Sequence, residues 1–342
     1  MASLKEIKGR IASVKSTLKI TSAMKLVASA KLRKAQQAIT DMLPYQRQLQ
    51  RILDRLISQN TAGGGALGAG AAAGPRPYSA AAKREWTRPG PDGAPEVIPG
   101  LTGDSIQGRV AIVAFSSNSS LCGAFNANAI RKTLAVIDEY QSAGYSPEDI
   151  IVYSVGRKMA EAMRKAGFQS PSDYSKMAET PGYEAASALA KELVDGFSSG
   201  LYSKVELVYN HFKSTASQPT VVETFLPMND GMPAAPGRVH SRFAAAEYGL
   251  EAEAMPSEPC DMIIEPSPEE LLNEILPKVQ RLKIYTVLLD SNAAEHAART
   301  VAMQTATDNG NDLLESLTLE YNKGRQQKIT SEILDIVGGS LQ

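Results

Sequence analysis

Cysteine is nearly missing from the 342 residues, with Cys122 and Cys260 the two present. Two thiols so far apart build neither a secreted disulfide framework nor a zinc site, so a reducing, intracellular setting is expected. Histidine is as scarce, and His211, His240 and His296 have no metal-ligand spacing. His296, with Glu295 and Arg299, reads as a helix-surface group. No run approaches about 18 uninterrupted apolar residues, so no membrane span is expected. Met1 leads almost directly into a charged amphipathic pattern with no signal-peptide or transit-peptide character before it. Also lacking are a Walker loop, a G-x-G-x-x-G run after the first strand and H-E-x-x-H. No catalytic residue, cofactor or metal is therefore expected. Cys122, just after a strand, reads as a buried structural thiol. Trp86, the one tryptophan, sits beside Lys83, Arg84 and Arg88 and reads as a packed surface aromatic.

What is present begins with a length suited to about two ordinary domains and 43% hydrophobic residues, enough for a sizeable core. A net charge of −1 conceals opposite ends: residues 1–60 hold twelve Lys or Arg against three Asp or Glu, and residues 269–342 hold seven against eleven. Ser3-Leu4-Lys5-Glu6 is an S-x-x-E capping box that predicts a helix start. From there Leu4, Ile7, Ile11, Val14, Leu18, Thr21, Ala28, Leu32, Ala35, Ile39, Met42, Leu49, Leu53 and Leu56 fall at spacings of three and four, interrupted by Lys25 and Gln46. That seam predicts a helix over Ser3 to Ser58 buried along one narrow stripe against a partner helix, roughly 80 Å long at about 1.5 Å per residue. Pro44 is expected to kink it.

Residues 61–105 change character, ten Gly, ten Ala and six Pro filling 26 of 45 positions. They read as a linker or insert. Order is expected again from Arg109 to Ser116, then a helix over Ala129 to Tyr140, a strand from Asp149 to Val155 and helices over Arg157 to Ala166 and Tyr183 to Phe197. Val205 to Phe212 follows as a strand, with Val221 to Leu226 antiparallel to it. This alternation predicts βαβ units in a mostly parallel, Rossmann-like sheet. Asp261 to Glu265 is a further expected strand, beyond a second irregular insert between Met228 and Pro259. Ser267-Pro268-Glu269-Glu270 opens a last helix that Pro277 is expected to bend or divide. Its apolar positions are Leu271, Ile275, Val279, Leu282, Tyr285, Leu288, Leu289, Leu313, Leu317, Tyr321, Ile329, Ile333 and Val337. The run Ala293, Ala294, Ala297, Ala298, Ala302, Ala306 permits close approach of another helix.

The fold class is therefore α/β with a long antiparallel coiled coil, N- and C-terminal helices paired around a central sheet domain. The expected divisions are 1–60, the N-terminal helix; 61–105, the insert; 106–266, the α/β domain with its insert at 228–259; and 267–342, the C-terminal helix. Burial of the apolar stripe supplies most of the pairing energy, and exposed ion pairs add little.

The opening LKEIKGRIASVKSTLKITSAMKLVASAKLRKAQ and the closing NAAEHAARTVAMQTATDNGNDLLESLTLEYNKGRQQKITSEILDIVGG together closely resemble the gamma subunit of the F-type ATP synthase. Ser119 to Asn126 is similar to that family's loop after the first strand, although Asn118 and Ser120 stand where the family carries Asp and Gly. The two inserts match nothing in it. The close cysteine pair of redox-regulated chloroplast members is absent, so thiol switching is not expected. The resemblance implies a non-catalytic rotor shaft, one copy per complex, inside a hexamer of alternating alpha and beta subunits. It implies contacts with epsilon and the c-ring, no nucleic acid, membrane contact only through the complex, and a place on the cytoplasmic side of a bacterial inner membrane. It also implies that Arg325, Gln326 and Thr330 meet a beta-subunit loop, with Met24 and Lys25 nearby on the N-terminal helix.

Two other readings compete. Nine basic residues in the first forty suit a coiled coil tracking a phosphate backbone, but they interleave with a helix-pairing seam and lack aromatic stacking partners. An α/β enzyme with helical arms would bind its ligand at the carboxyl ends of the strands, yet no phosphate loop or acid/base pair is supplied there.

Overall fold

The computed structural model describes residues 3–63, 87–89, 95–97, 109–227 and 268–340. Helix α1 spans Leu4–Gly63 and opens at the capping sequence, the Glu6 amide donating to Ser3 Oγ at 3.2 Å. Half the capping box forms, because the Glu6 carboxylate accepts from Arg10 at 3.2 Å instead. The last helix, called α6 below, spans Pro268–Ser340. Each helix continues through its proline, so Pro277 does not divide α6. Pro277 has no amide to donate to the Asn273 carbonyl. Burial holds that turn instead, Ile275, Leu276, Val279 and Leu282 packing against Leu49 and Leu53 of α1.

The two helices run antiparallel in one register. Thr307 Oγ1 donates to Thr21 Oγ1 at 3.0 Å, Leu18 lies on Gly310 and Leu4 on Gly324. A Cβ at Gly310 would stand 2.7 Å from Leu18 Cδ2, so the absence of a side chain sets how near the axes come. Leu32, Ala35, Ile39 and Leu43 continue the contact against Ala293, Ala294, Ala297 and Ala298. α1 begins opposite Gly324, and the later seam positions Ile329, Ile333 and Val337 are exposed.

Between the helices lies the head. Part of the Gly/Ala/Pro-rich stretch is regular: α1 reaches Gly63, and β1 (Thr87–Pro89) pairs antiparallel with β2 (Pro95–Val97). Strands of three residues are too short to leave a readable period. The main elements are β3 (Arg109–Phe115), α2 (Phe125–Ser142), β4 (Ile150–Val155), α3 (Arg157–Lys165), α4 (Ser175–Glu179), α5 (Tyr183–Ser198), β5 (Tyr202–Asn210) and β6 (Thr220–Leu226). The strand order is β4-β3-β5-β6, with β3 parallel to β4 and β5, and β6 antiparallel to β5. The expected strand at Asp261 to Glu265, the 228–259 insert, the Ser267 cap, Trp86, His240 and Cys260 lie outside the described residues.

Alternate strand residues point to opposite faces. Val110, Ile112 and Ala114 of β3 pack under α2 and α3 through Ala129, Val136, Ile137, Met159 and Met163. Ala111, Val113 and Phe115 pack under α5 through Ala186, Leu189, Ala190 and Leu193, together with Ile284, Val287 and Leu288 of α6. The terminal helix is thus part of the head's second layer. From Thr286 to Arg299 it is buried on every side, with Asn292 alone half-buried. A helix enclosed this way is mostly apolar or small, and the polar groups it carries need partners.

Gly156, between β4 and α3, has φ +106°, and a Cβ there would lie 2.3 Å from the Ser116 carbonyl oxygen. Gly144, after α2, has φ +98° with open space around it. Both Gly→Ala changes meet an unfavourable backbone conformation, costing about 1 kcal/mol or more, but the first also collides with backbone. Gly156→Ala is expected to lower the urea unfolding midpoint well below that of Gly144→Ala, and equal midpoints would contradict the clash.

Candidate functional site

Arg325, Gln326 and Thr330 are all exposed on α6, and Thr330 Oγ1 donates back to the Gln326 carbonyl at 2.9 Å. Met24 and Lys25 are half-buried on α1. The structure does not bring the two sets together. Met24 lies just past Thr21, which meets Thr307, whereas Arg325 lies just past Gly324, roughly 25 Å further along α6 at about 1.5 Å per residue.

From Arg325 to Ser340 the helix extends beyond the start of α1, and Ile329, Ile333, Leu334, Ile336 and Val337 are each about half exposed or more, Ile336 at 71%. Further down the shaft Ile20, Leu26, Val27, Leu313 and Leu319 are also exposed. One free helix end carrying this many aliphatic side chains is an interaction surface, since isolated exposed apolar residues are ordinary but a concentration is not. Its charged neighbours are exposed as well: Lys5, Lys8, Lys15, Lys19, Lys31, Arg33 and Lys34 all face solvent on α1.

Where the shaft crosses the carboxyl ends of the strands, a polar cleft of about 420 Å³ opens between Lys31, Asn118, Ser119, Arg157, Glu295 and Arg299. Five of these six residues, all but Lys31, are hydrogen-bonded among themselves. Asn118 Oδ1 accepts from the Arg157 amide at 2.9 Å while its Nδ2 donates to the Ser175 carbonyl at 2.8 Å, and Arg157 Nη2 donates to the Asn118 carbonyl at 2.8 Å. Arg299 donates to Glu295 at 2.7 Å and to Ser119 Oγ at 2.8 Å. Ser116 Oγ and the Ser117 carbonyl take the next two amides of α3, so the end of that helix is capped by protein.

Glu295, His296 and Arg299 therefore form a buried cluster, not the surface group their spacing suggests, because the loop after β3 lies across them. Burial, with Arg299 and Lys31 as lesser causes, lowers the His296 pKa from its usual 6.5 to about 4. Burial raises that of Glu295, offset in part by Arg299 and Lys31. Cys122 is fully buried between Ala293, Ala297 and Leu32, and Asn126 Nδ2 donates to its Sγ at 3.2 Å.

Sequence reasoning missed Asp290, whose carboxylate accepts from His211 Nδ1 at 2.6 Å and from the Phe212 amide at 2.9 Å. It also missed the buried pair of Lys283 with Glu223, the latter accepting from Tyr209 at 3.1 Å. The signal was there: Lys283 and Asp290 interrupt a stretch of α6 that is otherwise mostly apolar or small.

A two-helix shaft with an exposed apolar tip and an α/β head locked to its side defines a mechanical, partner-binding protein. Residues 3–341 match the family model described as ATP synthase. The ATP synthase gamma chain of Phocaeicola vulgatus is 47% identical over 342 residues, covering 100% of both chains, and that of Bacteroides fragilis is 45% identical over 341 residues at the same coverage. A chain of the Euglena gracilis mitochondrial ATP synthase, solved by cryo-EM with OSCP, F1 and c-ring in a rotational state, shares the fold. Its TM-score is 0.53 at 17% identity, covering 99% of this chain and 93% of that one. The chain belongs to the ATP synthase gamma chain family.

The buried histidine makes stability depend on pH. Between its folded value near 4 and its usual 6.5, the unfolded chain holds more protons on His296 than the folded one. Its contribution is complete above that upper value and is lost as pH falls toward the lower one, while Glu295, raised in the fold, acts in the opposite sense. His296→Gln is expected to lose less stability than the parent between about pH 7 and about pH 5, read as urea midpoints at each pH. Identical pH slopes would exclude this role.

Proposed function

We propose that the chain is the central shaft of an ATP synthase rotor, one copy per complex, coupling rotation of a c-ring to conformational change in a hexamer of alternating alpha and beta subunits. The observation that carries this is the free end of α6. Ile329, Ile333, Leu334 and Ile336 are all exposed on it, so the tip needs an apolar sleeve supplied by others. Family membership and the c-ring in the Euglena assembly support the identity of those partners.

In this reading the shaft comprises residues 1–60 and 267–342, and the head, residues 106–266, lies outside the hexamer against epsilon and the c-ring. Arg325, Gln326 and Thr330 contact a beta-subunit loop near the tip, and Met24 and Lys25 form a second contact lower on the shaft. The helix pair differs on each side, so it presents a different surface to each of three beta subunits. Turning it shifts which conformation of each nucleotide site is most populated. The chain changes those populations without catalysing the reaction, and the basic α1 face suits acidic partner surfaces.

No described helix is long and apolar enough to cross a membrane. In this reading attachment runs through the complex, on the cytoplasmic side of a bacterial inner membrane. Native mass spectrometry of the chain co-expressed with its own alpha and beta subunits is expected to give one copy per three alpha and three beta. A version lacking Lys323 to Gln342 should be retained more weakly. Absence of the full-length chain from any such complex would overturn the proposal.

A further inference from the structure

Parallel sheets hold their ligands at the carboxyl ends of the strands, and here that edge holds α6. Four polar residues of α6 reach four separate segments of the head. Lys283 pairs with Glu223 on β6. Asp290, its side chain 1% exposed, accepts from His211 Nδ1 at 2.6 Å and from the Phe212 amide at 2.9 Å, the two residues that leave β5. Asn292 Nδ2 donates to the Ala178 carbonyl of α4 at 3.3 Å, and Arg299 Nη2 donates to Ser119 Oγ in the loop leaving β3 at 2.8 Å.

Their placement around the helix matters as much as their number. At about 100° per residue, from about 3.6 residues per turn, Lys283 and Asp290 stand on one side of α6, and Asn292 and Arg299 stand nearly opposite. The set extends roughly 24 Å along the axis at about 1.5 Å per residue. The apolar contacts between these points are non-directional and tolerate small slides, whereas hydrogen bonds weaken steeply when turned. A rod gripped on opposite sides at several levels cannot roll against the sheet without breaking these bonds, of which those of Lys283 and Asp290 are buried.

We propose that Lys283, Asp290, Asn292 and Arg299 form a polar clamp that fixes the rotational angle of the head on the shaft and carries torque between them. Asp290 is its principal positioning residue, because one buried carboxylate holds two donors from the strand end. The torque part rests on the rotor reading; the clamp itself does not.

The clamp is tested on the full chain by pulsed electron-spin distance measurement between labels at the exposed positions Arg131 in the head and Leu319 on the shaft. The parent and Lys278→Ala, which removes an exposed ion pair of α6, should give the same narrow distribution. Asp290→Ala should broaden it to about twice the width, as the loss of both directional bonds implies. Asp290→Asn, which keeps an acceptor for the Phe212 amide, should fall between. A parent-like width for folded Asp290→Ala overturns the clamp, and if that variant fails to fold, a parent-like width for Asp290→Asn does so. In complexes with alpha and beta subunits, a probe on the head of a stalled rotor should fluctuate over a wider angle in the same order. Unchanged fluctuation with a broadened free chain would reject torque transfer alone, and absence of the parent chain from the complex would instead reject the rotor reading.

Discussion

Everything in this molecule depends on α6 being enclosed over its middle. From Thr286 to Arg299 it meets α1 on one side and the head on the others, and the alanines at 293, 294, 297 and 298 let both come close at once. A wider side chain at any of them would have to displace a neighbour in a core with no room to yield. The same helix then leaves the head, pairs with α1 as far as Gly324 and continues to Ser340. One element therefore serves as core, as coiled-coil strand and as free tip along its length.

That continuity gives the buried polar groups their significance. Charges inside a core rarely add net stability, since desolvation offsets most of their attraction, but removing one partner leaves the other stranded at about 3–5 kcal/mol. Lys283 with Glu223, and Asp290 with His211, thus select one relative placement of shaft and sheet over near alternatives that the apolar contacts alone would tolerate. The polar cleft near Arg299 belongs to the same junction. Its side chains are engaged with Asn118, Ser119 and Glu295, so a crevice of the kind that holds ligands in other α/β sheets here holds a helix.

The shaft was readable because a narrow seam needs a regular spacing, and Ile7, Leu32, Ile39 and Leu53 keep it over most of α1. Strands β3 and β4 of the head were readable because they are nearly continuous apolar runs, as strands covered on both faces require. Two things misled. Glu295, His296 and Arg299 look like a solvated helix face, since nothing in their own segment announces that a loop from residue 119 closes over them. Ile329, Ile333 and Val337 continue the pairing spacing, yet the partner helix ends at Leu4, a fact of register rather than of local pattern. Pro277 looked like a break because an isolated helix would lose a bond there, while the packed helix is held by Leu276 and Val279 on either side.

Read alone, the residues determined where the long helices and main strands form, that the two ends pair, and which family they resemble, because periodicity, caps and recognisable strings are local properties of the chain. Only the tertiary structure decided how far α1 reaches along α6, which of the exposed-looking charges are buried, and which side chains hold the head to the shaft. Those depend on contacts between residues such as Ser119 and Arg299, or His211 and Asp290, which are far apart in the chain and meet only after folding.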